Sequence, residues 1–225
     1  MKNYNLFALV ASLTLVFTSC STNETLLTEE QSIDLLKTYT INRDATGAYS
    51  IDYDLNSNAT SENVVDDSTN TKNIYLYSSD NQSNKKVTQD LVINGTQLKV
   101  GFVDTNTDKS HNITITDDNL TVARKTDNKK LKDYSISSNL DGTYTLDFTV
   151  NNKISVDFVY NDELKIYEIH LEEGKTSETS YSRVLEKEVG QPLKFDFVNH
   201  IKNNTAAKST DIIEATIRRP EVIIN

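Results

Sequence analysis

One thiol, three imidazoles and several runs of closely spaced oxygen ligands are the groups in this sequence with chemistry to offer. The thiol belongs to Cys20, the only cysteine in the chain. A thiolate is a strong nucleophile and the side chain best suited to alkylation. Being alone, it leaves no internal disulfide and no cysteine-based metal site. The oxygens come in two sets, Asp52-x-Asp54-x-Asn56-x-Asn58 and Asp104-x-Asn106-x-Asp108. Calcium needs clustered oxygens, and this alternate spacing opens an EF-hand-like loop. Both sets depart from it. Ser57 and Lys109 stand where glycine makes the sharp turn, and Asn63 and Ile115 where glutamate closes the shell. Asp and Asn also favour turns through their own backbone hydrogen bonds. Turn chemistry is therefore the expectation, and no metal is assigned to Asp52, Asp54, Asn56, Asp104, Asn106 or Asp108.

The imidazoles, His111, His170 and His200, are far apart in sequence. A catalytic triad needs serine, histidine and acid converging in space. No Gly-x-Ser-x-Gly, His-Glu-x-x-His or phosphate-cradling glycine loop accompanies them. His111 shares parity with Ile113 and Ile115, while His170 falls opposite Ile169 and Leu171, so structural roles are expected. Paired carboxylates recur: Asp66 with Asp67, Glu172 with Glu173, and Asp147 with Asp157. Glycoside hydrolysis needs two carboxyls across a cleft. Adjacent acids on a strand point to opposite faces, and Asp147 and Asp157 fall on neighbouring strand segments among Thr and Ser. Solvated faces are the expectation, with no catalytic residue and no cofactor.

The surroundings of Cys20 give the thiol its use. Lys2 supplies positive charge, and residues 6–17 are apolar except for Ser12 and Thr14. That length suits a signal h-region and is too short to cross a bilayer. Thr18 and Ser19 then lead into Cys20. Phe17-Thr18-Ser19-Cys20 resembles the lipobox of bacterial lipoproteins, in the form seen in Bacteroidetes. The resemblance implies cleavage before Cys20, lipid on its sulfur, and anchoring in the cell envelope, at the outer membrane. Acyl chains contribute about 0.8 kcal/mol per buried methylene, so two or more hold stably. Ser21-Thr22-Asn23-Glu24 lacks the acidic run that resembles a surface-export tag. Asp67-Ser68-Thr69 resembles the sites at which Bacteroidetes attach O-glycans, which would place a glycan on Ser68.

Composition narrows the partners. The net charge is −10, and loss of residues 1–19 removes one lysine and no acid. Nucleic acid is excluded as a partner, because Lys and Arg must replace its counterions. Eleven Tyr and seven Phe, with only six Gly and two Pro, suit a packed core. The absence of tryptophan counts against a carbohydrate site built on indole stacking.

Residues 21–27 read as a tether. Thr28-Glu29-Glu30-Gln31 fits a capping box, and Ile33, Leu35, Leu36 and Tyr39 follow as an apolar stripe, which predicts one N-terminal helix. From Ala48 the period becomes two. Strands are expected at 49–55, 74–77, 87–93 and 98–103, with Asn94-Gly95 as a hairpin turn between the last two. Residues 56–71 read as a long polar loop. Ile113 and Ile115, then Leu120 and Val122, flank Asp117-Asp118-Asn119 as a second hairpin. Strands at 144–150, 154–160 and 164–171, turning at Asn151-Asn152 and Asn161-Asp162, read as a three-strand meander. Further strands are expected at 181–189, 193–198 and 212–217, with Pro220 ending the pattern and 222–224 as an edge. No fixed-period repeat is read along the chain.

The fold class expected is all-β, an antiparallel meander forming a curved sheet, sandwich or open barrel, with one N-terminal helix. One β domain over 28–225 is the first reading, and two small ones over 28–125 and 131–225 the alternative, divided by the charged bridge at 124–133. Function is expected to be non-catalytic binding or assembly at the envelope, with the membrane engaged through lipid on Cys20 and a further envelope protein as possible partner. The alternatives are a calycin-like carrier of a small hydrophobic ligand, its cavity lined by Tyr144, Phe148, Phe158, Tyr160, Phe195 and Phe197, and a glycan-acting enzyme.

Overall fold

The computed structural model describes residues 33–80, 85–91, 95–117, 130–202 and 214–225. Cys20, the signal segment, the capping box and the Leu120 and Val122 arm lie outside them. The described strands are β1 (Leu36–Arg43), β2 (Tyr49–Leu55), β3 (Ala59–Asp66), β4 (Thr71–Ser78), β5 (Lys85–Leu91), β6 (Gln97–Asp104), β7 (Ser110–Thr116), β8 (Leu131–Ser138), β9 (Tyr144–Val150), β10 (Ile154–Asn161), β11 (Ile166–Glu173), β12 (Ser180–Leu185), β13 (Leu193–Lys202) and β14 (Glu214–Ile224). They form two sheets. One has six strands in the order β12-β9-β8-β1-β2-β5; the other has eight, β10-β11-β13-β14-β7-β6-β4-β3.

The inward faces of the two sheets meet in one apolar core. Along β2 the pattern is strict: Tyr49, Ile51, Tyr53 and Leu55 are buried, while Ser50, Asp52 and Asp54 are partly exposed. Period-two burial of this kind follows from alternate side chains pointing to opposite faces. Rings cross between the layers, as in Tyr53 against Phe102 and Phe148 against Phe197. Such edge-to-face pairs contribute about 0.5–1.5 kcal/mol each beyond their buried area.

Several expectations are corrected. No helix occurs among the described residues; Leu36 and Tyr39 lie in β1. Their i, i+3 spacing coincides with a stronger alternation, Tyr39 and Ile41 buried against Thr38, Thr40 and Asn42, and β-branched residues favour the strand. The stretch 56–71 is no loop: it contains β3, which among the described residues is an edge strand paired only with β4. An edge needs little apolar content, so hydropathy missed it. The sheets are not purely antiparallel, since β4 with β6 and β11 with β13 run parallel. Gly95 does not close a hairpin, because β5 and β6 belong to different sheets. The meander is split likewise. β10 and β11 form a hairpin, but β9 lies in the other sheet between β8 and β12, so Asn151-Asn152 carries the chain from one layer to the other. Pro220 does not end the pattern. It sits inside β14, where the ladder with β13 shifts register between Asp196 and Val198, and β14 is central to its sheet.

The two halves repeat one another. β1 to β4 and β8 to β11 have matching lengths and are displaced throughout by 95 residues: 36–43 against 131–138, 49–55 against 144–150, 59–66 against 154–161, 71–78 against 166–173. Pairings recur too. In each half the second strand joins first and fifth, and the fourth pairs antiparallel with the third and parallel with the sixth. The halves meet where β1 pairs β8 and β14 pairs β7. Ile41 faces Ile136, its own counterpart, so a pseudo-twofold axis passes between them. Leu98 faces Ile115 as Leu193 faces Ile224, which makes Thr114 and Ile223 counterparts; they also face each other. The core obeys the same axis. Tyr53 on Phe102 (5.6 Å, 79°) matches Phe148 on Phe197 (5.4 Å, 74°), and Tyr39 on Phe102 (5.5 Å, 39°) matches Tyr134 on Phe197 (5.5 Å, 40°). Strands of both halves contribute to both sheets.

Candidate functional site

The outer face of the six-stranded sheet is built from short polar side chains in register. Ser182 faces Asp147, Asp147 faces Ser135, Ser135 faces Asn42, Asn42 faces Ser50, and Ser50 faces Asp90. This row crosses all six strands. Five inter-strand spacings of ~4.8 Å make it roughly 24 Å long. Its members point outward because their neighbours Arg43, Tyr49, Tyr134 and Phe148 are buried inward. A second row, with Ser180, Thr149 and Asp133, runs beside it. Together they bound a groove of about 580 Å³ to which Asp44, Asp90, Asp133 and Asp147 contribute.

Beneath the groove the sheet is held by a buried ion pair. Arg43 Nε donates to Asp117 Oδ2 at 2.9 Å, with both side chains under 5 % exposed. Tyr49 donates to the same oxygen at 2.8 Å, and Tyr134 to Tyr49 at 3.3 Å. Burial works against the Arg43 charge, but the Asp117 carboxylate and its hydrogen bond more than offset this and hold the guanidinium above its ordinary value. At the groove's end, Asp44 accepts from the Thr46 hydroxyl and from the backbone amides of Thr46 and Ala48. The Thr46 hydroxyl foremost, then these amides, holds its carboxyl below the usual range despite slight burial.

The oxygen sets named from sequence do not converge on a cation. Asp52 accepts from Asn42 and Thr88, Asp54 from Thr38, and Asn56 donates to the Asp34 carbonyl. Alternate positions of an extended strand keep them apart. Asp104 accepts from the Asn106 amide, Asn106 donates to Ser78, and Asp108 takes a positive φ, which is turn chemistry. Among the described residues no three His, Cys, Asp or Glu donors already stand at mutual ligating distances. Asp147 and Asp157 lie in different sheets, not on neighbouring strands. Ser68 sits on the exposed β3–β4 turn, its hydroxyl donating to Asp66 at 2.6 Å. The six aromatics named as cavity lining pack on other rings instead. Tyr144, Phe148, Phe195 and Phe197 are buried, while Phe158 and Tyr160 pack at the sheet edge.

A second polar constellation, unread in the sequence, lies on the outer face of the eight-stranded sheet. Parallel pairing of β11 with β13 brings His170 to His200, Nδ1 to Nε2 at 2.9 Å. His170 Nε2 meets Glu168 Oε2 at 3.0 Å, and Glu168 accepts from Arg218 at 2.7 Å and Asn161 at 3.0 Å. Arg218 also reaches Asp196 at 3.1 Å. Burial would raise the Glu168 carboxyl, but bonds from Arg218 and Asn161 leave it lowered; for Asp196 burial wins over Arg218 and raises it. His111 stands apart, bonded to Tyr39 Oη at 2.8 Å.

No family model matches the chain, and no match to it was found among curated proteins or solved structures.

Proposed function

We propose that this chain is a lipid-anchored binding protein of the cell envelope that seats an extended, positively charged partner segment in the groove across its six-stranded sheet. The observation that carries the reading is the in-register row from Ser182 to Asp90. Short Ser, Asn and Asp side chains hold hydrogen-bonding groups out at little entropic cost. Straight rows perpendicular to the strands suit an extended ligand, and the four aspartates of the groove favour amines or guanidinium groups. The anchor rests on the lipobox resemblance at Cys20. The reading asks for retention and no bond-breaking step.

Titration of the full chain, in detergent, with a labelled lysine-rich peptide tests the groove. Asp133→Asn and Asp147→Asn are expected to weaken binding about two- to fivefold each, the range of exposed ion pairs worth ~0.5–1 kcal/mol. Added salt should weaken it further. Unchanged affinity in the double variant, or preference for a neutral oligosaccharide over the peptide, overturns this occupant. For the anchor, Cys20→Ser is expected to abolish labelling by radioactive fatty acid and release the protein from membranes.

A further inference from the structure

The pseudo-twofold axis supplies an internal comparison. At the 95-residue interval, Glu168, His170, Glu172 and His200 correspond to Asn73, Tyr75, Tyr77 and Thr105. The first half thus builds β4, the match of β11, without any of these groups, and Thr105 stands one residue past the end of β6, so the first-half sheet forms without them. We propose that His170, His200 and Glu172 form a binding site for one divalent transition-metal ion, Cu²⁺ or Ni²⁺ before Zn²⁺.

Position favours this assignment. His170 Nδ1 and His200 Nε2 are 2.9 Å apart in a hydrogen bond, with ring centroids 5.2 Å apart, so each nitrogen is aimed at the other. Both rings are partly exposed, and a turn of each lets the two lone pairs converge on one ion. Imidazole sites hold Cu²⁺ above Ni²⁺ and Zn²⁺ in the general order of affinities. Glu172 Oε1 lies 3.8 Å from His200 Nε2, and its side chain is 61 % exposed, so it can swing in as third ligand. His170 and Glu172 leave β11 two residues apart, on one face.

The support behind the imidazoles matches what a metal ligand needs. Histidine ligands donate their remaining N–H to a carboxylate, which fixes tautomer and ring orientation. His170 does so through Nε2 to Glu168, and Glu168 is held in turn by Arg218 and Asn161. With Nε2 protonated, Nδ1 keeps its lone pair facing His200. His200 then needs only to move its proton from Nε2 to Nδ1, without net loss. Lys130 Nζ donates to the carbonyls of both Leu171 and His200, clamping the two strands at this level.

The test is calorimetric titration of the untagged full chain with CuCl₂, NiCl₂ and ZnCl₂, with electron paramagnetic resonance of the Cu²⁺ form. One equivalent should bind, Cu²⁺ most tightly, with hyperfine splitting from imidazole nitrogen. His170→Tyr and His200→Thr install first-half residues and should lower affinity at least tenfold while leaving the melting temperature near that of the parent. Glu168→Gln, which touches no metal, should lower it about tenfold or more. No binding by the parent chain, or equal binding by His170→Tyr or His200→Thr, overturns the assignment. A tight site indifferent to Glu168→Gln overturns the supporting role given to that carboxylate.

Discussion

Arg43 and Asp117 show how much a single residue decides here. The pair is buried under the groove, and removing one partner strands a charge in the core. Such breaks cost about 3–5 kcal/mol. Asp117→Asn is therefore expected to lower the urea midpoint sharply while Asp52→Asn, at a partly exposed position, moves it little; equal effects would contradict the burial argument. Carboxyls set the response to acid. Asp44, Asp66 and Asp141 are lowered chiefly by neighbouring Thr or Ser hydroxyls, and Glu168 is lowered by Arg218 and Asn161 against its burial. A depressed folded-state value stabilises above the unfolded value, and that contribution disappears as pH falls through the folded value. Asp196, raised by burial, has the opposite sign. With four lowered groups against one raised, thermal stability should decline on acidification below about pH 4. Glu168→Gln should flatten that decline, which a melting series from neutral to acid pH would show.

At the scale of elements, turns and edges explain where reading by periodicity works. The β1–β2 and β8–β9 turns place Gly47 and Gly142 at φ of 86° and 83°, a region that other residues enter at a cost. Gly142 has open space around it, so Gly142→Ala isolates backbone strain. A loss of about 1 kcal/mol is expected, measured by chemical denaturation; no loss would show the turn to be tolerant. Strands buried on one face, such as β2 and β9, were legible because Tyr, Ile, Leu and Phe alternate with Asp, Ser and Thr. β3 was not, since Val64 and Val65 are exposed among polar neighbours on an edge. The stripe of Ile33, Leu36 and Tyr39 misled because the register shift between Leu36 and Thr38 adds a residue to β1 and lets side chains three apart, Leu36 and Tyr39, both meet the core.

The whole molecule is organised by its repeat. Each half presents β1 or β8, and β7 or β14, to its partner half. A half alone would expose both strands as unpaired edges with their share of the core. A fragment of residues 130–225 is thus expected either to remain unfolded or to associate with a second copy, using the pairing that the axis already describes. A folded, monomeric fragment by sedimentation would contradict this. The repeat also explains how one body carries two different outer faces. Sheet pairing and core rings recur across the axis, while outward residues are free to diverge, as Tyr75 and His170 do.

The sequence alone determined that this is a strand-rich chain with an apolar core, because alternation and aromatic content are local properties. The lipobox resemblance at Cys20 adds the proposed envelope address, which fatty-acid labelling tests. Which strands pair was decided by tertiary structure: turns such as Asn151-Asn152 look alike whether they close a hairpin or cross between layers. Both candidate sites arise that way. The groove needs six strands in register, and His170 meets His200 only through the parallel contact of β11 with β13, a proximity that a separation of 30 positions in sequence conceals.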